Sequence, residues 1–209
     1  TWRGHTHAHR SPSPVSGSDT TALVVHAHRK EVEDDDALLK AAMAEPAAFA
    51  LLYERYYDRV YRYCRARTPT HEDGADLAQQ VFLQAFSNLH RFRPRGSSFA
   101  AWLFRIAHNL AIDSSRRRRR QTIAWEDIAD VSVLVSADLG PEDAAIRSDE
   151  LARLRVGINA LAGAQREVLI LRFAVGLSIP EIAAVIGKSV SATQMRLWRA
   201  LQMLRKDHE

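Results

Sequence analysis

Arg116–Arg120, five successive arginines, is the densest group of chemically active side chains in the sequence. Cations at the C-terminus of a helix offset its dipole by about 0.3–1 kcal/mol each, which would explain one or two of them. Five adjacent like charges repel one another unless a polyanion lies nearby, and each phosphate contact releases counterions. The run therefore favours contact with a polyanion; a lipid surface or a targeting signal is the alternative.

The helix predicted before this run has two distinct faces. An apolar stripe that repeats every four residues is expected to lie in the core: Trp102, Ile106 and Leu110. A second, more polar face carries Arg105, Asn109, Ile112 and Arg116. Asn109 is then a candidate base-reading side chain with cations on both sides.

Residues 177–204 have the pattern of a helix-turn-helix. Ser178 and Glu181 form a capping box, in which each side chain satisfies a free amide, and Pro180 in the first turn has no amide to lose. Gly187 stands where a left-handed residue would end the first helix. The positions expected to face inward are Ile182, Ala183 and Ile186 in the first helix, and Val190, Thr193, Leu197, Leu201 and Leu204 in the second.

The outward side of the second helix carries side chains suited to the edges of bases: Ser191, Gln194, Met195, Arg196, Trp198 and Arg199. In a DNA-bound helix-turn-helix this helix lies in the major groove. There Gln194 can contact adenine in a bidentate manner, and Arg196 or Arg199 can bind guanine or a phosphate. An ordinary helical hairpin with a solvated polar face is the alternative.

The elements that carry these side chains are predicted to be helices throughout, so the fold class is all-α. Apolar residues recur at spacings of three and four, and no strand pair or tight hairpin signal is present. We expect helices at about residues 37–43, 46–63, 75–89 and 99–119, and more helix from residue 141 to 206. Loops are expected at residues 68–74 and 93–98, and turns near residues 162–164, 175–176 and 187.

Length and composition limit the class of protein. The 209 residues are 46% hydrophobic and 26% charged, which fits one or two globular domains. Cys64 is the one cysteine, which excludes an internal disulfide and a multi-cysteine zinc site, and its apolar helix predicts a buried structural thiol. The apolar runs are too short for a membrane helix or a signal peptide. We therefore expect a soluble protein of a reducing compartment.

The net charge of +4 is the sum of unlike segments. It is +8 over residues 37–120 and +5 over residues 151–209, but −7 over residues 121–150 and −2 over residues 1–36. Two basic blocks on an acidic connection favour two polyanion-binding modules. The predicted division is a disordered N-terminal tail (1–36), a first small helical domain (37–120), a flexible acidic linker (121–144) and a second small helical domain (145–209).

Catalytic and cofactor motifs are absent from the sequence. There is no nucleophile–base–acid set, phosphate-binding glycine loop or dinucleotide fingerprint, so we expect neither enzyme activity nor a cofactor. The alternating histidines His5, His7 and His9 lie in the predicted tail, which lacks the fixed geometry of a metal site. No metal site is therefore expected.

Three segments resemble bacterial sigma factors of the sigma-70 family. Residues 76–86 (DLAQQVFLQAF) and 99–113 (FAAWLFRIAHNLAID) are similar to the second conserved region, and residues 165–169 with the helix-turn-helix resemble the fourth. Their order and spacing match the compact extracytoplasmic-function (ECF) group, which keeps only these two domains. The resemblance covers about residues 37–206.

The resemblance implies a cytoplasmic bacterial factor that binds core RNA polymerase, recognises the −35 and −10 promoter elements, and melts the −10 region. The expected partners are the beta-prime clamp helices and beta flap of the polymerase, promoter DNA and an anti-sigma factor, without membrane insertion. Core-polymerase binding is implied for Asp76, Gln79, Gln80, Phe82 and Leu83. Gln80 stands where the family usually has an acidic side chain.

The resemblance also assigns DNA contacts to both domains. Binding of the −10 element is implied for Trp102, Arg105, Asn109, Arg116, Arg117, Arg118 and Arg119. Asn109 would line the pocket that traps an unstacked base, whereas Trp102 is either an aromatic near the melting surface or a core residue. Binding of the −35 element is implied for the outward residues of the second helix of the helix-turn-helix. Gln194, Met195 and Trp198 depart from the residues usual there, so the preferred promoter sequence stays open.

Two other functions compete with this interpretation. A stand-alone helix-turn-helix regulator that binds duplex operators would explain residues 151–209, but it leaves residues 76–86 and the arginine run without a role. An interaction adaptor that does not touch DNA would leave both basic blocks unexplained.

The basic blocks predict DNA binding that weakens steeply with salt. About 6–10 phosphate contacts cost roughly 10³–10⁵-fold in affinity between about 50 and 200 mM salt, because released counterions must be recaptured on dissociation. Fluorescence anisotropy with labelled duplex DNA of mixed sequence, at several KCl concentrations, measures the slope. A flat slope would support the adaptor instead.

Overall fold

The computed structural model describes residues 35–93, 98–121 and 148–206. These residues form helices joined by turns and short loops and contain no strand, which confirms the predicted all-α class. The predicted tail before residue 35, residues 94–97 and most of the predicted linker lie outside the described residues.

Residues 35–121 contain what we call the first helical group. Its elements are α1 (35–44), a 3-10 turn (Pro46–Ala48), α2 (Phe49–Arg65), α3 (His71–Asn88), a second 3-10 turn (Leu89–Arg91) and α4 (Phe99–Gln121). The helical spacing predicted for α2 gives a buried stripe, in which Leu52, Tyr56, Val60 and Tyr63 are at most 1% exposed. This stripe packs against α3 and α4.

Asp35 is part of this group, although its acidic run was predicted to belong to the tail. It lies in α1, is 4% exposed, and accepts a hydrogen bond from the Tyr56 hydroxyl. Arg55 pairs with the same carboxylate at 2.9 Å. Burial and the nearby Asp35 charge raise the pKa of Tyr56, so its hydroxyl keeps the proton that it donates. Local sequence does not reveal these partners, because Tyr56 lies 21 residues further along the chain, in another helix.

Helix α3 begins earlier than the predicted residue 75. Thr70 caps it by accepting a hydrogen bond from the Asp73 amide at 3.0 Å. Gly74, which was expected in a loop, is therefore buried in the first turn. A Cβ atom at Gly74 would lie only 3.1 Å from the Arg65 Cα, so glycine permits the close approach of α3 to the end of α2.

The core face of α4 differs from the predicted one. Trp102, Ile106 and Leu110 are only partly buried and pack at the edge of the core. The fully buried positions lie on the neighbouring rows: Leu103, Phe104, Ala107 and Ala111. The predicted positions and the buried ones both recur at helical spacing, so periodicity alone cannot choose between them. The small alanines of the buried set bring α4 close to its neighbours.

Residues 148–206 form the second helical group. Its elements are α5 (Ser148–Ala160), α6 (Gly163–Leu169) with a π-helical turn (Ile170–Ala174), α7 (Ile179–Ile186) and α8 (Val190–Lys206). Helix α8 packs on α5, α6 and α7. The second group also contacts the first: α7 lies along α4, and the π-helical turn lies against α2.

The predicted inner face of α8 is partly wrong. Val190 and Leu201 are 47% and 41% exposed, whereas Thr193 and Ala200 are fully buried. Leu197 and Leu204 are partly buried, as the stripe requires. The small side chains at 193 and 200 fill the buried positions, and the larger apolar residues at 190 and 201 lie at the surface.

None of the helices in the described ranges is both long enough and apolar enough to span a bilayer.

Leu103→Ala should lower the free energy of unfolding by about 2–5 kcal/mol, because it leaves a cavity at a fully buried site. Leu110→Ala, at the partly buried edge of the same helix, is the matched control and should cost markedly less. Urea unfolding followed by circular dichroism at 222 nm measures both. Equal losses would contradict the core face assigned to α4.

Candidate nucleic-acid interface

Helix α3 exposes a continuous stripe. Asp76, Gln79, Gln80 and Leu83 follow one another at helical spacing and are all exposed, Leu83 to 68%. Phe86 continues the stripe and is 45% exposed. We call these five residues the α3 stripe. Exposed apolar side chains bordered by polar ones are typical of a protein–protein contact surface.

Phe82 differs from the other residues predicted to contact polymerase. It is 4% exposed, and its ring packs against Tyr53 at 4.6 Å and Tyr57 at 6.4 Å between ring centroids. Its side chain therefore supports the surface beside the α3 stripe rather than forming part of it. In sequence, Phe82 and Leu83 are adjacent apolar residues, and only packing separates the buried one from the exposed one.

Helix α4 presents the polar face expected from the sequence. Arg105, Asn109 and Arg116 are exposed on one side of it. Trp102 lies one turn before Arg105, with its ring 5.3 Å from that of Phe92. The Trp102 ring is therefore packed on the edge of the core and still reaches the surface. We call Trp102, Arg105, Asn109 and Arg116 the α4 face.

A cleft of about 270 Å³ opens beside Trp102. It is lined by Arg91, Phe92, Arg93, Ala101, Trp102 and Arg105 of the first group and by Ala184 of α7. Three guanidinium groups around aromatic side chains suit a nucleic-acid strand, because they pair with phosphates while a base stacks on a ring.

The arginine run contains side chains in different environments. Arg116 and Arg117 are exposed. Arg118 is half-buried, and its guanidinium donates to the Arg67 backbone oxygen at 2.9 Å and to Ser114 Oγ at 2.7 Å. Arg118 therefore links α4 to the end of α2. The resemblance had implied that Arg118 contacts DNA, whereas here its guanidinium is bonded within the protein. The side chains of Arg119 and Arg120 lie outside the described residues.

The helix-turn-helix formed by α7 and α8 has the predicted geometry at the start of α7 and at the turn. The Ser178 amide and hydroxyl both donate to Glu181 Oε2, at 2.8 and 2.7 Å, which fixes the start of α7. Gly187 ends α7 with φ of 64°, the left-handed region that favours glycine. Ser189 Oγ then accepts from the Ala192 amide at 3.2 Å at the start of α8.

The outer surface of α8 carries all six residues predicted for base contact. Ser191, Gln194, Met195, Trp198 and Arg199 are exposed, and Arg196 is half-buried. Met195 and Trp198 are 49% and 57% exposed, so the surface offers apolar as well as hydrogen-bonding groups. We call these six residues the α8 face.

Sequence reasoning missed a buried carboxylate between the two groups. Glu167 of α6 is 6% exposed. It accepts a hydrogen bond from the Tyr63 hydroxyl at 2.8 Å, lies 3.0 Å from His108 Nδ1, and pairs with the Arg67 guanidinium. We call these four residues the Glu167 cluster. The one signal in the sequence was a glutamate directly before the apolar pair Val168–Leu169, too weak to identify its partners.

His108 enters this cluster as a neutral imidazole. Burial, and then the charge of Arg67, lower the pKa of His108 to about 4. Because a carboxylate can only accept, the Nδ1 atom that faces Glu167 must carry the proton of the neutral ring. The carboxylate is thus held by the charge of Arg67 and by two neutral donors.

Cys64 has the buried environment predicted from its helix. The thiol is fully buried, and burial raises its pKa to about 12, so it stays protonated and unreactive near neutral pH. In the described ranges, no three or more His, Cys, Asp or Glu side chains come together as a metal site would require.

Comparison with known proteins matches the two helical groups separately. Residues 52–121 match sigma-70 region 2, and residues 151–204 match sigma-70 region 4. The ECF RNA polymerase sigma factor SigD of Mycobacterium tuberculosis is 36% identical over 177 residues, which cover 83% of this chain and 82% of SigD. The chain belongs to the ECF sigma factors.

Another relative and two solved structures resemble this sigma factor. The ECF sigma factor BldN of Streptomyces coelicolor is 34% identical over 85% of this chain and 69% of BldN. The solved structure of CnrH with the cytosolic domain of CnrY is 31% identical, with a TM-score of 0.60 over 82% of this chain and 95% of CnrH. RpoE of Bartonella quintana, in complex with the anti-sigma factor NepR, shares the fold at 24% identity and a TM-score of 0.56 over 76% of this chain and 95% of RpoE.

Two arginines of the run should separate DNA contact from stability. Arg118→Ala should lower the melting temperature, because it removes two hydrogen bonds that join α4 to α2 and to its own preceding turn. Arg116→Ala should leave the melting temperature unchanged and weaken binding to single-stranded DNA, since its exposed charge is available to a phosphate. Thermal melting and fluorescence anisotropy measure the two effects. The opposite pattern would reverse the assignments.

Proposed function

We propose that this ECF sigma factor uses the α3 stripe to bind core RNA polymerase, the α4 face to hold the −10 strand, and the α8 face to read the −35 duplex. The observation that carries the proposal is the α4 face: Trp102 and Arg105 line the cleft, and the exposed Asn109 and Arg116 continue the same side of the helix. Such a surface suits a single strand with a displaced base.

Core polymerase would bind the α3 stripe through a mixed apolar and polar contact. Leu83 and Phe86 supply exposed apolar surface, and Asp76 supplies a charge that guides docking to a basic partner surface. Gln80 contributes hydrogen bonds without charge. The beta-prime clamp helices are the expected partner of this stripe. The beta flap is the expected partner of the second helical group.

Promoter opening would depend on the α4 face. Extrusion of a base from the duplex costs a few kcal/mol, which stacking, hydrogen bonds and phosphate contacts in the site must offset. Asn109 has both a donor and an acceptor for the edge of such a base. Arg105 and Arg116, on either side of Asn109, would hold the backbone.

The −35 element would be read in the major groove by α8. Gln194 suits adenine, and the exposed Met195 and Trp198 suit the methyl group of thymine, because apolar contacts there distinguish thymine from cytosine. Arg199 suits guanine or a phosphate. These properties favour an A- and T-containing −35 element.

This sigma factor would contribute binding energy, and the polymerase would catalyse RNA synthesis. It would act in the bacterial cytoplasm, where the polymerase and chromosome lie. An anti-sigma factor is the further partner proposed, since one solved structure with the same fold, that of RpoE, is a complex with the anti-sigma factor NepR.

The test of this function is reconstitution with core RNA polymerase. The chain should co-purify with core polymerase and direct runoff transcription from defined starts on a genomic template library, which core alone does not produce. DNase I and permanganate footprints should show protection with unpaired thymines near −10. Protection without strand opening, independent of polymerase, would favour the stand-alone regulator.

Asn109→Ala and Leu83→Ala should separate opening from polymerase binding. Asn109→Ala should reduce permanganate-reactive thymines and runoff product roughly 5–150-fold, which corresponds to the loss of a contact worth about 1–3 kcal/mol. Core binding should be unchanged. Leu83→Ala should weaken core binding, because it truncates the most exposed apolar side chain of the α3 stripe. Each variant serves as the control for the other. Wild-type transcription from Asn109→Ala would remove that residue from the proposal.

A further inference from the structure

The centre of the α8 face is apolar. Met195 and Trp198 are 49% and 57% exposed, and they lie one turn apart on the same side of the helix. The fully buried Thr193 and Ala200 hold the other side of α8 against its neighbours. Met195 follows Thr193 by two residues, which is about 200° around the helix. Met195 therefore lies almost opposite the buried side of α8, at the outermost part of the face.

Polar and basic side chains surround this apolar centre. Gln194 and Arg199 are exposed on its two sides, and Ser191 is exposed one turn before Met195. Over Val190–Lys206 the helix carries four basic residues and no acidic one. Such a helix is attracted to DNA, and in the major groove its outermost side chains come nearest to the base edges.

The chemistry of methionine limits what Met195 can recognise. Its thioether is only a weak acceptor, so it does not distinguish bases by the hydrogen-bonding groups of their edges. The apolar group that the bases present in the major groove is the C5-methyl group of thymine. Met195 suits this group, and the indole of Trp198 supplies apolar surface beside it. Both residues depart from those usual at these positions of the family, so the contact belongs to this chain rather than to sigma factors in general.

A methyl group at C5 is not confined to thymine. 5-Methylcytosine carries the same group at the same ring position, beside an N4 amino group in place of the O4 of thymine. A glutamine or an arginine distinguishes these two neighbours, because one donates and the other accepts. An apolar side chain such as Met195 responds to the methyl group and much less to the polar group beside it.

We propose that Met195, supported by Trp198, reads the C5-methyl group of a pyrimidine in the −35 element, and that 5-methylcytosine serves there as thymine does. Methylation of cytosine at this position therefore strengthens the binding of this sigma factor to the element. The proposal rests on the function proposed above, because it requires α8 in the major groove of a promoter.

Two pairs of bases isolate the methyl group. Uracil has the hydrogen-bonding edge of thymine and lacks only the methyl group, and cytosine differs from 5-methylcytosine in the same way. Removal of one methyl group from an apolar contact corresponds to about fourfold in affinity. The two exchanges should therefore have effects of similar size at the position that Met195 contacts.

Binding to a selected duplex tests the methyl contact. The full chain bound to core RNA polymerase selects duplexes from a random-sequence library, and the best-bound sequence is synthesised with each thymine in turn replaced by uracil. Competition followed by fluorescence anisotropy should show about fourfold weaker binding at one or two thymines of the −35 element and no change at thymines of the spacer. At the same positions, a C·G pair should bind about fourfold more tightly when its cytosine is methylated at C5.

Three substitutions test the role of Met195. Met195→Ala should abolish both preferences, because it removes the apolar contact, whereas Met195→Leu keeps an apolar side chain and should retain most of each. Met203→Ala is the matched control and should behave as wild type. Met203 is 43% exposed on the same helix, but it lies outside the α8 face, where its sulfur accepts a hydrogen bond from Gln165 at 3.4 Å. Circular dichroism verifies that each variant is folded.

Each result decides a separate part of the proposal. Equal binding of thymine and uracil at every −35 position, or of cytosine and 5-methylcytosine, would overturn the methyl contact and leave the proposed function standing. Weaker binding after methylation would overturn it in the same way. Preferences that persist in Met195→Ala would overturn the role of Met195. Failure to select any duplex would overturn the proposed reading of the −35 element and this proposal with it.

Discussion

A buried carboxylate needs partners, and this requirement fixes how the two halves of the described structure meet. Glu167 cannot supply its own hydrogen bonds inside α6, so it takes them from α2 and α4 of the other group. Burial lowers the pKa of His108 to about 4 and leaves its ring neutral, and Arg67 then supplies the one charge that faces the carboxylate in this cluster. Since every partner comes from the first group, the cluster exists only when the groups are docked.

The surfaces proposed for binding consist of side chains that the packing of the core leaves exposed. In α3, Val81 and Phe82 are taken into the core, and Leu83 is left 68% exposed beside them. In α8, Thr193 and Ala200 occupy buried positions, and Met195 and Trp198 are left about half exposed. Net charges of +8 and +5 on the segments that contain these helices add long-range attraction to DNA, while the exposed side chains supply the contacts.

Local features of the sequence predicted local structure well. The capping box at Ser178 and the left-handed Gly187 depend on residues within one or two turns of each other, and the structure confirms both. Predictions that required a choice between equivalent helical rows were less accurate. Ile106 and Leu110 were expected in the core, yet the row of Leu103 and Ala107 is the buried one, because the choice depends on which neighbouring helix approaches closely.

The sequence by itself determined the all-α class, the helix-turn-helix and the segregation of charge. These depend on periodicity, on capping and on composition, which are properties of short segments. The tertiary structure alone decided that Asp35 and Glu167 are buried, that Arg118 is bound to backbone and that α7 lies across the cleft beside Trp102. Each of these depends on contacts between residues distant in the chain. The sequence alone does not show whether a charged side chain is paired inside the protein or faces water.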